Sequence, residues 1–274
     1  YTTFTDAAYL RDYLYDEGKA SQNSVYATYL EQDRYFDIRL QQFRELGETI
    51  TWELQERQGA ALPNVRYDEI IRLGEGRGQI ELTGRLLNIV REDDHWTAPN
   101  GVPHILGFEG NKTHLMGLAA WRDQWIGPMG VVATPYVGVR ADAASYDGES
   151  DHPLSPDSTS LFSLTPIAAM DVRWPWAGST GSTVHLVEPI VQLAYRGSSE
   201  AMPGITNDNA QSFVFDDTNL FSYDRFSGTD RQETGLRANV GGRYQVDFGG
   251  GSYVELVGGH SFHLAGTNAF DIDD

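Results

Sequence analysis

The chain contains 274 residues, no cysteine, and 39 acidic residues against 20 Lys and Arg, so its formal net charge is −19. Such an acidic chain disfavours nucleic-acid binding through a basic surface, and the lack of cysteine excludes disulfides and thiolate metal sites within these residues. No apolar run is long enough for a transmembrane helix. A membrane β-barrel is not excluded, because its strands need only about 9 to 11 residues with alternate positions apolar.

Apolar and polar residues alternate repeatedly along the chain, and this period predicts about ten β-strands. In the clearest case, residues 236–248, Val240 and Tyr244 lie on one face while Arg237 and Asn239 lie on the other. Each predicted strand has about the length that a tilted membrane strand needs. The predicted strands cover roughly residues 24–32, 34–46, 65–73, 79–91, 113–126, 131–146, 163–177, 183–196, 232–248 and 252–264.

The connections between these strands alternate between short and long. The short ones read "EQDR", "GEGRG", "GPMG", "GSTG" and "GGG", which is good hairpin chemistry. The long ones cover residues 47–64, 92–112, 147–162 and 197–231. Short periplasmic turns at one end and long external loops at the other are typical of an outer-membrane barrel.

The fold class predicted from these patterns is all-β, an antiparallel transmembrane β-barrel with about ten strands here as part of a larger barrel. Residues 1–274 are expected to belong to this single barrel domain, with no separate soluble domain, and the chain is expected to be a piece of a longer protein. A soluble β-sandwich that acts as a binding module is the alternative fold.

The predicted polar faces carry charged groups that would cost several kcal/mol if buried unpaired, and a water-filled lumen would remove that cost. These groups are Arg140, Asp171, Arg173, Arg237 and Arg243.

Four prolines fall inside the predicted strands. They indicate either strand ends and bulges or a deliberate weakening that lets the sheet part sideways. They are Pro135, Pro166, Pro175 and Pro189.

The longest connection contains "FDDTNLFSYDRFSGTDR", residues 215–231, which is too aromatic for a disordered linker and too charged for a core strand. We expect a compact folded loop in which Arg225 and Arg231 pair with Asp216 or Asp217. Its aromatic rings, those of Phe221, Tyr223 and Phe226, are expected to bury against the loop backbone or the inner wall of the barrel. The candidate structural residues of this loop are Asp216, Asp217, Asn219, Phe221, Asp224, Arg225, Phe226, Gly228, Asp230 and Arg231.

Catalytic signatures are absent from the sequence, which predicts a protein that is not an enzyme and has no cofactor. The seven histidines form no HExxH pair, and no lipase or nucleotide-binding motif occurs in a suitable context. A lipid-modifying hydrolase would need a Ser–His pair, such as Ser261 with a histidine of another strand. The acids of the long connections could ligate divalent cations, but solvated loops are the expected reading, so no metal site is predicted.

Three stretches resemble the LptD family of LPS-assembly proteins, and most closely its alphaproteobacterial-type members. They are "VEPIVQLAYR" (187–196), "GITNDNAQSFVFDDTNLFSYDRFSGTDR" (204–231) and "ETGLRANVGGRYQV" (233–246). The specific similarity covers residues 186–270, and a looser one extends over the chain.

This resemblance implies a protein of the cell outer membrane in contact with its lipid. Lipopolysaccharide would pass through the barrel lumen and a lateral gate into the outer leaflet. The implied partners are lipopolysaccharide itself, the plug lipoprotein LptE and the periplasmic LPS-bridge proteins, and no nucleic acid is implied. A passive porin or a substrate-specific outer-membrane channel is the alternative function.

Overall fold

The computed structural model describes residues 20–45, 55–97, 101, 104–155, 157–197, 208–209 and 219–268. These residues form an all-β structure. Its strands are β1 (Ala20–Leu30), β2 (Arg34–Glu45), β3 (Ala60–Arg72), β4 (Gln79–Arg91), β5 (His95–Thr97), β6 (His104–Gly107), β7 (Gly110–Arg122), β8 (Trp125–Ile126), β9 (Val132–Gly148), β10 (Thr159–Arg173), β11 (Trp176–Thr180), β12 (Thr183–Arg196), β13 (Gly235–Asp247) and β14 (Tyr253–Ala265).

One antiparallel sheet of 12 strands dominates the fold. Its ten long strands pair in the order β1-β2-β3-β4-β7-β9-β10-β12-β13-β14, while the short strands β8 and β11 pair with β9 and β12. Strands β5 and β6 form a separate hairpin. This meander confirms the predicted all-β fold class and is consistent with a partial β-barrel. Among the described residues, no helix has the length and apolarity that crossing a membrane requires.

The ten predicted strands correspond to the ten long strands, with boundaries that differ by a few residues. The predictions were wrong in treating 113–126 and 163–177 as unbroken, because the structure divides each into a long strand and a short one. They also missed the β5–β6 hairpin inside the connection 92–112. The connections do alternate as predicted, so one end of the sheet, the short-turn end, carries tight turns and the other, the long-loop end, carries long loops.

Burial along the strands is inverted relative to that of a water-soluble sheet. Val137 and Leu164 are 56% and 59% exposed, whereas Arg140 and Asp142 are only 5% and 1% exposed. Large apolar side chains therefore cover one face, here called the outer face, and charged and amide side chains cover the other, the inner face. A lipid-facing outer surface explains this pattern, because water would penalise so many exposed apolar groups on one face.

The sheet curls around part of the connection between β12 and β13. Residues 208–209 and 219–234 of this connection, here called the inner loop, contact the inner face of six strands, β4, β7, β9, β10, β12 and β13. The small apolar core also lies here, around Ala120, Tyr136 and Ile167, with Tyr223 of the loop packed against it. A single segment can reach so many strands only if they surround it.

Three of the four prolines lie inside long strands without any bulge. Pro135, Pro166 and Pro189 each lie one residue beyond the point where pairing with one neighbouring strand stops, so the missing N–H falls on an unpaired side. Pro175 lies in the break between β10 and β11. Three of them therefore lie where pairing on one side of the strand ends, the fourth lies between two strands, and none needs a hydrogen bond from its missing N–H.

Candidate functional site: the inner loop and the cavity beneath it

Asp230 is the centre of the contacts between the inner loop and the sheet. Its Oδ2 atom lies 2.5 Å from Lys112 Nζ, and its Oδ1 atom lies 2.9 Å from His114 Nδ1. The backbone N–H groups of Asp208 and Asn209 also donate to Oδ2, at 2.8 and 3.2 Å. Burial alone would raise the pKa of the Asp230 carboxyl, but the hydrogen bond from His114 and the charge of Lys112 outweigh it and lower the pKa to about 2.

His114 joins Asp230 to a second carboxylate on the neighbouring strand. Its Nε2 atom lies 2.9 Å from Asp142 Oδ1. Arg140 holds the same carboxylate in a bidentate fork, with Nε 2.8 Å from Oδ2 and Nη2 2.7 Å from Oδ1, and also donates to the carbonyl oxygen of Thr229. A fork of this kind fixes the planar carboxylate in position, so the wall presents a rigid acceptor to the imidazole.

Asn209 ties the two described parts of the inner loop together. Its Oδ1 atom accepts hydrogen bonds from the backbone N–H groups of Thr229 and Asp230, at 2.9 and 3.0 Å, and its Nδ2 donates to Thr229 Oγ1 at 2.9 Å. A Cβ added at Gly228 would overlap the carbonyl and side-chain oxygens of Asn209. Glycine is therefore needed at 228 for this close approach of two backbone segments.

A second group of contacts holds the end of the inner loop that leads into β13. Arg225 donates from Nε to Glu233 Oε2 at 2.7 Å, and Arg237 of β13 also pairs with Glu233. Asp224 Oδ1 accepts the backbone N–H groups of Phe226 and Glu233, each at 3.2 Å. Its Oδ2 lies 3.6 Å from an Arg196 nitrogen. These acids and arginines are largely buried. Separating the loop from the sheet would leave buried charges without partners, so the ion pairs hold the folded loop on the sheet.

Amide side chains of the wall complete the attachment. Gln192 Nε2 donates to the carbonyl oxygen of Phe221 at 2.7 Å, while its Oε1 accepts from Asn239 Nδ2, also at 2.7 Å. Gln232 of the loop bridges Arg196 and Thr165 at 3.1 and 3.0 Å. Each of these contacts satisfies a polar group that burial would otherwise leave without a partner.

The aromatic residues of the loop pack against other side chains, and their backbone groups form hydrogen bonds. Tyr223 packs against Tyr136 with ring centroids 4.4 Å apart. Phe226 is buried, and the Arg231 guanidinium lies 5.1 Å from the centre of its ring. Phe221 contributes its backbone carbonyl to the wall contact described above, and the carbonyl of Asn219 accepts the N–H of Ser222 in a turn.

The structure therefore brings together eight of the ten predicted loop residues, and the remaining two, Asp216 and Asp217, lie outside the described residues. The expected pairing of Arg225 and Arg231 with Asp216 or Asp217 stays a prediction, because both aspartates lie outside the described residues. Within the described residues, Arg225 pairs with Glu233 and Arg231 lies against Phe226. The two aspartates adjoining these arginines have other roles, since Asp224 binds loop N–H groups and Asp230 contacts the wall.

The expectation that a water-filled lumen removes the cost of the charged groups holds only in part for the described residues. Arg140, Asp171 and Arg237 are each about 5% exposed. They are compensated by neighbouring side chains and by the inner loop rather than by water alone. The physical reason is that the long connection folds back into the space between the strands and supplies partners there.

A cavity of about 1170 Å³ lies beneath the inner loop, towards the short-turn end. Its lining combines charged groups, amides and two aromatic residues of the loop. Its arginines are paired: Arg72 lies 2.7 Å from Asp33, Arg122 lies 2.8 Å from Glu81, and Arg173 lies 2.8 Å from Asp171. The lining includes Arg72, Gln79, Arg122, Asp123, Gln124, Thr134, Asp171, Arg173, Glu188, Gln192, Phe221, Ser222, Tyr223 and Asp224.

The acids of the other long connections are also engaged by protein groups. Asp94 accepts the N–H of Glu109 and the hydroxyl of Ser150, both at 2.7 Å, and Asp93 lies 3.0 Å from Arg57 Nε. Burial and these acidic neighbours raise the pKa of Glu109. Among the described residues, no group of three or more His, Asp or Glu side chains could hold a metal ion.

Sequence reasoning missed the wall residues that receive the loop. Lys112 and His114 are two positions apart on β7, as are Arg140 and Asp142 on β9. Their period-two spacing on polar faces is the signal that could have identified them. Asp208, which Lys112 contacts at 2.9 Å, was likewise not singled out.

An antiparallel sheet with an apolar outer face, a charged inner face and an inward-folded loop defines a wall segment of the membrane-barrel class. A family model described as LptD, LPS transport system D, matches residues 1–274, and the chain belongs to this family. The family is an outer-membrane transport family and not an enzyme family, with LPS as its substrate. A comparison with curated proteins finds no match.

Proposed function

We propose that this chain forms part of the barrel wall of an outer-membrane translocon that inserts LPS into the outer leaflet. Residues 1–274 would belong to one barrel domain. The observation that carries the proposal is the large polar cavity on the inner face, behind an outer face suited to lipid. Family membership supports LPS as the cargo and the outer membrane as its location.

The cavity lining suits a phosphorylated sugar in transit. Its arginines are paired with carboxylates, so no single unpaired cationic site would trap a phosphate, while the amides and hydroxyls can exchange hydrogen bonds with sugars. Passage requires contacts that are favourable enough for entry and weak enough for exit. The acyl chains would leave through a lateral opening, because a charged lumen solvates hydrocarbon poorly.

The orientation follows from the two ends of the sheet. Short turns face the periplasm in barrels of this class, so the cavity would open towards the periplasm and the inner loop would cap it on the cell surface side. We propose that LPS arrives from periplasmic LPS-bridge proteins at the short-turn end, and that the lipoprotein LptE occupies lumen space as a plug. The energy would come from upstream ATP-driven machinery.

A photo-crosslinking experiment on a matched pair of positions tests this proposal. Thr134 lines the cavity and Val137, on the same strand, is exposed on the outer face. A photoreactive amino acid would be placed at either position of the complete protein in cells. We expect an LPS adduct at Thr134 that disappears when the ATP-driven supply is stopped, and a lipid adduct at Val137 that persists.

The alternative function, a passive porin or substrate-specific channel, predicts a different result. In that case Thr134 gives no LPS adduct while the purified protein conducts small ions in a planar bilayer. The absence of an adduct at Thr134, together with a normal lipid adduct at Val137, would overturn the translocon proposal.

A further inference from the structure

The His114 imidazole is placed between two carboxylates, one from the inner loop and one from the wall. Both ring nitrogens lie 2.9 Å from a carboxylate oxygen, Nδ1 from Asp230 and Nε2 from Asp142. A neutral imidazole donates from one nitrogen only, and the lone pair of the other would then face an acceptor. Both contacts are hydrogen bonds only when the ring carries two protons.

The surroundings of the two carboxylates keep them ionised. Lys112 lies 2.5 Å from Asp230, and the bidentate Arg140 fork holds Asp142. The pKa of the Asp230 carboxyl, lowered to about 2, agrees with this assignment, because its hydrogen bond from His114 and the charge of Lys112 outweigh burial. The second proton of the cluster therefore belongs to the ring and not to either acid.

The positive and negative charges around the His114 ring are equal in number when the ring itself is not counted. The wall contributes the cations Arg91 (β4), Lys112 (β7) and Arg140 (β9) and the anion Asp142 (β9), and the inner loop contributes the anions Asp208 and Asp230. Among the described residues, three cations thus face three carboxylates, and a fourth carboxylate, Asp224, lies 4.0 Å from Arg140 and is offset by Arg196 at 3.6 Å. The two hydrogen bonds, rather than an excess of negative charge among these groups, therefore hold the second proton of the ring. Loss of that proton would turn one hydrogen bond into a repulsive contact.

We propose that His114 is a proton-dependent latch that fastens the inner loop across the lumen when doubly protonated and loosens it when one proton is lost. The loop separates the cavity from the long-loop end of the sheet, so the latch controls whether that end is capped. Stabilisation by the latch is complete above about pH 4, where the Asp230 carboxyl is ionised, and decreases as the ring loses its second proton with rising pH. The latch rests on the lumen geometry, and only its role in LPS passage rests on the proposed function.

A spin label on the inner loop measures the latch directly. These 274 residues contain no cysteine, so Ser227→Cys, at an exposed position of the loop, provides a unique attachment site within them. The label would be read by electron paramagnetic resonance in the complete, detergent-folded barrel protein, with any cysteine outside these residues replaced by serine. We expect the mobile fraction to rise about tenfold between about pH 6 and pH 9.5, as the loss of one charge-assisted hydrogen bond requires.

Two variants identify the group responsible. His114→Gln can donate towards only one carboxylate, so the label should be mobile at both pH values. Asp142→Asn can offer an N–H to Nε2 if it gives up the Arg140 Nη2 contact at that position, so a neutral ring has a partner and the pH response should flatten. His185→Gln, which removes a histidine paired with Tyr244 away from the loop, should keep the wild-type response.

Heat-modifiable gel mobility verifies that each barrel is folded. A wild-type label whose mobility is the same at both pH values in a folded barrel would overturn the latch, as would a full pH response in folded His114→Gln. If His114→Gln does not fold, the wild-type titration and Asp142→Asn decide the question. A loop that responds to pH while Thr134 gives no LPS adduct would retain the latch and remove only its role in transport.

Discussion

The two halves of the inner face are built by the same strands but have opposite environments. On β9, Asp142 near the long-loop end is 1% exposed and takes part in a buried charge network, while Thr134 near the short-turn end lines an open cavity. Both halves follow the same alternation of polar and apolar positions. The inner loop accounts for the difference, because it covers one half and stops above the other.

This difference determines where a charged residue can be substituted with little loss of stability. In the covered half, each acid or base is buried and depends on the few named partners described above. In the open half, the charged residues are also paired, but the cavity leaves part of their solvation in place. Substitutions should therefore be costly under the loop and on the lipid face, and mild in the cavity.

Asp230→Asn is expected to have the largest effect. It leaves Lys112 and His114 buried next to a neutral amide, and breaking a buried ion pair from one side costs about 3–5 kcal/mol. The free energy of unfolding, measured in urea with the barrel in lipid vesicles and read by heat-modifiable gel mobility, checks this value.

Asp157→Asn is the matched control, because Asp157 is an exposed aspartate in the β9–β10 connection. It should change the free energy of unfolding by less than about 0.5 kcal/mol. If the two variants are equally stable, the covered half is not held by its charges.

Val139→Arg tests the outer face at the middle of β9. Val139 is 44% exposed there, and an arginine facing lipid near the midplane costs about 2–4 kcal/mol. The same unfolding measurement applies. Thr134→Arg, on the inner face of the same strand, should cost less than about 1 kcal/mol. If Thr134→Arg costs more than Val139→Arg, the assignment of the outer face to lipid is wrong.

Acidification should remove the contribution of Asp230 without any mutation. Its pKa is lowered to about 2 in the folded state, and an unfolded aspartate titrates near 3.9. The carboxylate therefore contributes about 2 kcal/mol that is present above about pH 4 and is lost as the pH falls towards 2. Unfolding free energies between about pH 5 and pH 2 should show this loss in the wild type and not in Asp230→Asn.

Sequence reasoning predicted the strands, their faces and the alternating connections, because alternation is a local property that each strand carries in its own residues. It did not find the partners of the loop. The contact of Asp230 with His114 joins residues 116 positions apart, and it depends on how the sheet curls. The Arg225–Glu233 pair is close in sequence, yet it forms across the bends at residues 227–230, which no periodic pattern predicts. The β5–β6 hairpin was missed because its strands are only three and four residues long, too short for a period to show.

Leaving the control variants aside, Asp224→Asn should have the smallest effect, and it separates the two carboxylates of the loop. Asp224 lies farther from its cations than Asp230 does, with Oδ2 3.6 Å from Arg196 and 4.0 Å from Arg140, and its side chain is 20% exposed. Asparagine keeps the Oδ1 acceptor for the N–H groups of Phe226 and Glu233. We therefore expect a loss of about 1 kcal/mol in the same unfolding assay.

Asp224→Ala removes that acceptor as well and should cost about 1 kcal/mol more than Asp224→Asn, since two buried N–H groups then lose their partner. The difference between the unfolding free energies of these two variants measures the contribution of Asp224 to the local fold of the loop, separately from its charge. If Asp224→Asn instead costs as much as Asp230→Asn, the distance to the wall cations does not determine how much each carboxylate contributes to stability. The end of the loop next to β13 would then be held as tightly as the end at His114.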